Sequence, residues 1–116
     1  METDSIKKCL PMLIKLSKLK TKKQRNNFLD ESKKDVYYGI CDVAFNVLKG
    51  NIPLNDRAKK KLDPFRRVLR KISKKSGITF KQRKKIINNQ VGGFLPALLI
   101  PALSILGQLV LDKITK

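Results

Sequence analysis

The chain alternates between stretches with one apolar stripe and a single stretch that is apolar on almost every side. Ile6, Cys9, Leu10, Leu13, Leu16 and Leu19 recur at steps of three and four, which predicts an amphipathic helix in residues 1–20. Pro11 lies inside it and predicts a late start or a bend. Thr21 and Gln24 form a capping-box pattern that opens a short helix through about Leu29. Ser32, with Asp35 three residues on, reads as the next cap, ahead of a helix over 33–49. In that segment Val36, Ile40, Val43 and Val47 share one row and Tyr37, Cys41, Ala44 and Leu48 the adjacent row, so it is the candidate central helix. Gly50 is a fitting stop.

Asn55 and Asp56 cap a further helix, expected to reach about Lys75. Ala58, Leu62, Phe65, Leu69 and Ile72 make a narrow apolar seam along it. Pro64 should bend this helix after Lys61, or mark its true start with Asp63 as cap. Thr79 and Gln82 form another capping box, opening a short basic helix. From Ile86 to Leu111 no residue is charged. Val91 to Leu111 is long enough to cross a bilayer as a helix. Pro101 should kink it, and Gly92-Gly93 supply a flexible break before it. A helix that is apolar all round belongs in lipid or deep in protein. The fold class expected is all-α: a basic body over residues 1–90, with about four to five short helices, then a Gly-Gly hinge and an apolar tail helix over 91–116. Such a run must enter lipid, fold back on the body to complete a small core, or bury against partners or further copies.

Charge changes this picture. The formal net charge is +18, from 27 Lys and Arg against 9 Asp and Glu. Between Lys49 and Lys85, fifteen basic residues face only Asp56 and Asp63, a net of +13. Such an excess calls for a polyanionic partner, either nucleic acid or an anionic membrane surface, with a merely solvated basic face as the plain alternative. The candidate nucleic-acid contacts are Arg57, Lys59, Lys60, Lys61, Arg66, Arg67, Arg70, Lys71, Lys74, Lys75, Lys81, Arg83, Lys84 and Lys85. Evenly spread cations contact phosphates and carry no base code. Phe65 and Phe80 are the only aromatics among them and are better explained as core, so base stacking on a single strand is not expected. The runs Lys59–Lys61 and Lys81–Lys85 equally suit nuclear import.

Candidate chemistry is sparse. Histidine is absent, and with it the usual general base and the commonest metal ligand. Cys9 and Cys41 are too few for a disulfide scaffold, have no metal-site spacing, and read as small core residues. No glycine-rich phosphate loop exists, since Gly92-Gly93 is not followed by Lys. No enzyme activity, cofactor or metal is expected.

The tail carries a resemblance. Gly92, Gly93, Leu95, Pro96, Leu99, Ile100 and Pro101 are similar to the C-terminal segment of adenovirus core protein X, the precursor of the mu peptide. The overall layout also resembles short basic proteins of adenovirus-like DNA transposons and viruses, the Polintons and adintoviruses. The resemblance implies a virion core protein that condenses double-stranded DNA without sequence preference, located in the virion and the host nucleus. It implies that 94–116 associates with capsid protein or a membrane, with self-association equally open. The body departs from the mu peptide, which is short, arginine-rich and unstructured. The resemblance also implies cleavage after Gly93 by an adenovirus-type protease at Val91-Gly92-Gly93, although Gln90 stands where such sites carry Met, Ile or Leu; a plain hinge is the other reading. The rival class is a tail-anchored membrane protein, its basic domain on the cytoplasmic side, or a membrane-lytic factor released by proteolysis.

Overall fold

The computed structural model describes the backbone of residues 4–115 and the side chains of residues 5–107. The fold is all-α. Its helices are α1 (Asp4–Lys18), α2 (Lys22–Asp30), α3 (Lys34–Leu48), α4 (Asp56–Leu62), α5 (Arg66–Ile72), α6 (Phe80–Asn88) and α7 (Phe94–Thr115), with a 3-10 turn, Asp63–Phe65, between α4 and α5.

Local chemistry explains most of these boundaries. The Thr21 and Thr79 side chains accept hydrogen bonds from the Gln24 and Gln82 backbone N–H groups at 3.1 Å, and each glutamine reaches back to its cap, so both boxes close. Asn55 caps α4 by accepting from the Ala58 N–H at 2.9 Å. Ser32 does something other than expected. Its hydroxyl donates to the Phe28 carbonyl at 2.7 Å and so closes α2, while α3 starts after Lys33 with no side-chain cap. Pro11 does not interrupt α1, because it lies on the exposed side, where the carbonyl it leaves unbonded can reach water. Pro64 divides the expected long helix: lacking an N–H, it sits in the 3-10 turn, and α5 ends at Ile72 rather than near Lys75. The body therefore has more and shorter helices than the periodicity suggests.

Helix α3 is the centre, lying against α1, α5, α6 and α7. Its closest approach is to α1. A Cβ built on Gly39 would run into the Cys9 Sγ, so the missing side chain is what lets the two helices meet there without a shift. Asn46 is a buried polar residue on α3 that apolar periodicity passes over. Its amide donates to the Asp42 carbonyl at 2.9 Å, its side-chain oxygen accepts from Asn51 at 3.0 Å, and its backbone carbonyl accepts from the Asn51 and Ile52 N–H groups. Asn46 thereby fastens the turn after Gly50, whose φ of 80° is the left-handed conformation glycine adopts freely.

The apolar stretch is part of this core. Phe94, Leu95, Leu98, Leu99, Ala102, Leu103 and Leu106 are all buried with α1, α3 and α4 side chains. Burying the six large ones contributes roughly 9–18 kcal/mol before opposing entropy, comparable to the whole net stability of a domain. The radius of gyration, 13.3 Å, equals the roughly 13 Å expected when a chain of this length folds as one globule. Gly92-Gly93 is correspondingly not a free hinge. Val91 is buried and its carbonyl accepts from Arg25 at 3.0 Å, while a Cβ on Gly93 would meet the Phe65 ring at 2.8 Å. A tail removed at this point takes a large share of the core with it: of the destinations open to the apolar run, the described residues take the fold-back onto the body. Gln108 to Lys116, the far end of the proposed span, lie outside the described side chains. Among the described residues no helix is long and apolar enough to cross a membrane.

Candidate nucleic-acid interface

The seam positions sort the cations outward. Ala58 and Leu62 point α4 into the core, which leaves Arg57, Lys59, Lys60 and Lys61 in solvent. Leu69 and Ile72 do the same for α5, exposing Arg66, Arg67, Arg70 and Lys71, with Lys74 and Lys75 just beyond its end. On α6, Ile87 is buried and Lys81, Lys84 and Lys85 are exposed. Thirteen of the fourteen sequence candidates are therefore exposed.

Arg83 is the exception. It is half-buried, and its guanidinium donates to the Ile72 carbonyl at 2.7 Å and to the Lys74 carbonyl. Ile72 is the last residue of α5 and Lys74 lies two residues beyond it, so Arg83 caps one helix from the next and braces α6 against it. Its guanidinium is engaged within the fold, which a count of basic residues cannot reveal.

The α5–α6 brace makes the cations converge. Lys71, Lys74 and Lys85 surround a cleft of about 330 Å³ that also presents the Gln82 and Asn89 side chains and contains no carboxylate. Opposing charge on this surface is slight. Asp63 pairs with Arg66 at 3.3 Å, with side chains 62% and 64% exposed, a pair of little net worth in water. Some lysines also lie over aromatic rings: the Lys34 Nζ is 5.1 Å from the Phe80 centroid and the Lys84 Nζ 5.8 Å from that of Tyr37.

The buried titratable groups lie on α1 and α3. Burial pushes the Cys9 thiol up to about 11, helped by nearby Asp35 and Asp42. Burial also raises Cys41, opposed by Arg83. Both thiols stay protonated at neutral pH and pack as small apolar groups. Burial raises Tyr37 as well; its hydroxyl lies 2.8 Å from the Asn88 Oδ1 and ties α3 to α6. Among the described residues no cluster of three or more His, Cys, Asp or Glu stands ready to hold a metal ion.

Around Val91-Gly92-Gly93 the backbone is turned and helical rather than extended. Gly92 and Gly93 are exposed, but Val91, Phe94 and Leu95 on either side are buried. A protease that binds its substrate as a strand would have to unfold this corner first. No family model, curated protein or solved structure matches the chain.

Proposed function

We propose that the protein is a non-catalytic binder of double-stranded DNA that neutralises backbone phosphates without reading sequence. One observation supports this: the fold turns thirteen Lys and Arg of the α4–α6 segment outward, against Asp56 and Asp63 within that segment and Asp42 of α3 beside Lys74 and Lys75. The molecule is 39 Å in its longest dimension. Duplex DNA presents a charge about every 1.7 Å of axis, so roughly twenty phosphates lie within that length and six to ten contacts are readily met. Condensation of DNA in a virion core, or delivery to a host nucleus, is the setting implied by the tail resemblance; the phosphate-binding reading does not depend on it. Insertion of 94–116 into a membrane would require the buried residues of α7 to leave the core, which favours the DNA-binding reading over the anchored and lytic alternatives; a capsid protein could still meet the exposed side at Ile100.

The test is binding of two duplexes of unrelated sequence at rising salt. The two affinities should agree and should fall together on the order of 1,000-fold or more between 50 and 200 mM salt. A clear preference for one duplex, a shallow salt dependence, or no binding at low salt would refute the proposal.

A further inference from the structure

The fold gathers aromatic side chains that the sequence scatters. Tyr38 and Phe45 are seven residues apart on α3 and therefore share a face. Tyr38 is 39% exposed, and its ring lies 5.5 Å from that of Phe80 on α6, tilted by 38°. Between Tyr38 and Phe45 opens a cleft of about 180 Å³, bordered by Asp42, Lys74, Lys75 and Arg83. The Lys75 Nζ stands 4.1 Å from the Phe45 centroid. Lys74 lines this cleft and also the α5–α6 cleft of Lys71 and Lys85, so the two adjoin at one side chain.

Their chemistry differs in a way that assigns them different parts of one ligand. The α5–α6 cleft has three lysines and no carboxylate, which suits a phosphate. The aromatic cleft contains Asp42, which repels a phosphate but accepts hydrogen bonds from the amino or imino N–H of a nucleobase. Its Tyr38 ring offers a partly exposed π-face, and its volume admits one planar heterocycle. Arg83, fixed on the Ile72 and Lys74 carbonyls, holds the shared corner in place.

We propose that this aromatic cleft binds one base of an unpaired strand, stacked on Tyr38, while Lys71, Lys74 and Lys85 hold the adjoining phosphate. The proposal rests on the phosphate-binding reading of α4–α6 and extends it to single strands. Bases inside a duplex already stack on one another and cannot present a face to Tyr38, so the site acts only on single-stranded or frayed nucleic acid.

The experiment compares a single-stranded oligothymidylate carrying one 2-aminopurine with a duplex of equal length, using the full chain. Tyr38→Leu keeps an apolar contact with Phe80 and removes the π-face; thermal melting checks that it folds. It should weaken single-strand binding roughly 5- to 150-fold, the usual worth of one stacked base, and abolish the 2-aminopurine quenching. Duplex affinity should be unaltered, and Tyr38→Phe should restore both single-strand readouts. Equal loss on both ligands, or no loss on either, overturns the base site. Salt-dependent duplex binding by the wild type without any 2-aminopurine change removes the base site alone. Failure of the wild type to bind either ligand at low salt removes the phosphate surface as well.

Discussion

Leu98 and Ile100 lie two residues apart on α7 and separate a core helix from a membrane tail. Leu98 is fully buried and Ile100 is 55% exposed. Truncating a buried leucine to alanine removes its transfer free energy and leaves a cavity, about 2–5 kcal/mol in sum. Leu98 packs among α1, α3 and α4 side chains, within a core already closed around α7. Domains of this size have a net stability of about 5–15 kcal/mol, so Leu98→Ala should remove a large fraction of it. At about 4 °C per kcal/mol, the melting temperature should drop by roughly 8–20 °C. Ile100→Ala removes exposed surface and slightly favours the helix, so it should shift melting by no more than about 0.5 kcal/mol. Circular dichroism melting of the two variants beside wild type, without lipid, reads both effects. If Leu98→Ala melts like wild type, or if the two variants fall equally, α7 is not a core helix and the burial argument is wrong.

Gly39→Ala places a methyl where the Cys9 Sγ already stands, so α1 and α3 must separate; overpacking of about 1–3 kcal/mol should outweigh the helix-propensity gain. Melting should fall for Gly39→Ala alone and recover in part when Cys9→Ala removes the Sγ. Alkaline titration should also destabilise the fold. Cys9 is raised from 9.0 to about 11, so the folded state holds its proton more tightly; the contribution is complete below about pH 9 and is lost as pH rises toward about 11. Urea melts across that window should show declining stability that Cys9→Ala makes less steep; a decline of undiminished steepness assigns it elsewhere. A protease specific for Gly-Gly sites should leave native protein uncut at Gly93 and cut it once urea unfolds the corner; rapid cleavage of the native form would show that Val91 and Phe94 are not held.

The parts of the fold that follow from neighbours in sequence were legible. The Thr21 and Thr79 boxes, the Asn55 cap and the Gly50 stop involve residues within four of one another, and each forms as the pattern predicts. Ser32 misleads because a hydroxyl can cap forward or bond backward to the preceding turn, and the choice depends on how α2 ends. The destination of α7 could not be read, because a stripe that is apolar on every side looks alike in lipid and in a protein core. The basic positions were legible as a set, since the Leu62, Leu69 and Ile72 seam points their neighbours outward. Arg83 is not distinguishable from them in sequence, because the carbonyls it bonds come within reach only when α6 packs on the end of α5. Tyr38 was passed over for a related reason: its partner Phe80 is more than forty residues away, and only the packing of α6 on α3 creates the pair.

If the α4–α6 cations are the DNA contacts, a salt titration on single-site variants will resolve them one by one. The slope of log affinity against log salt should fall by about 0.9 for each phosphate contact removed. Lys60→Gln on α4 and Lys81→Gln on α6 are exposed changes that should each flatten the slope by about that amount and leave melting unaltered. Lys7→Gln and Lys8→Gln, equally exposed on α1, should leave the slope as it is. A slope insensitive to the α4–α6 changes, or equally sensitive to those on α1, would show that the charge acts as an unspecific whole and that these helices form no interface.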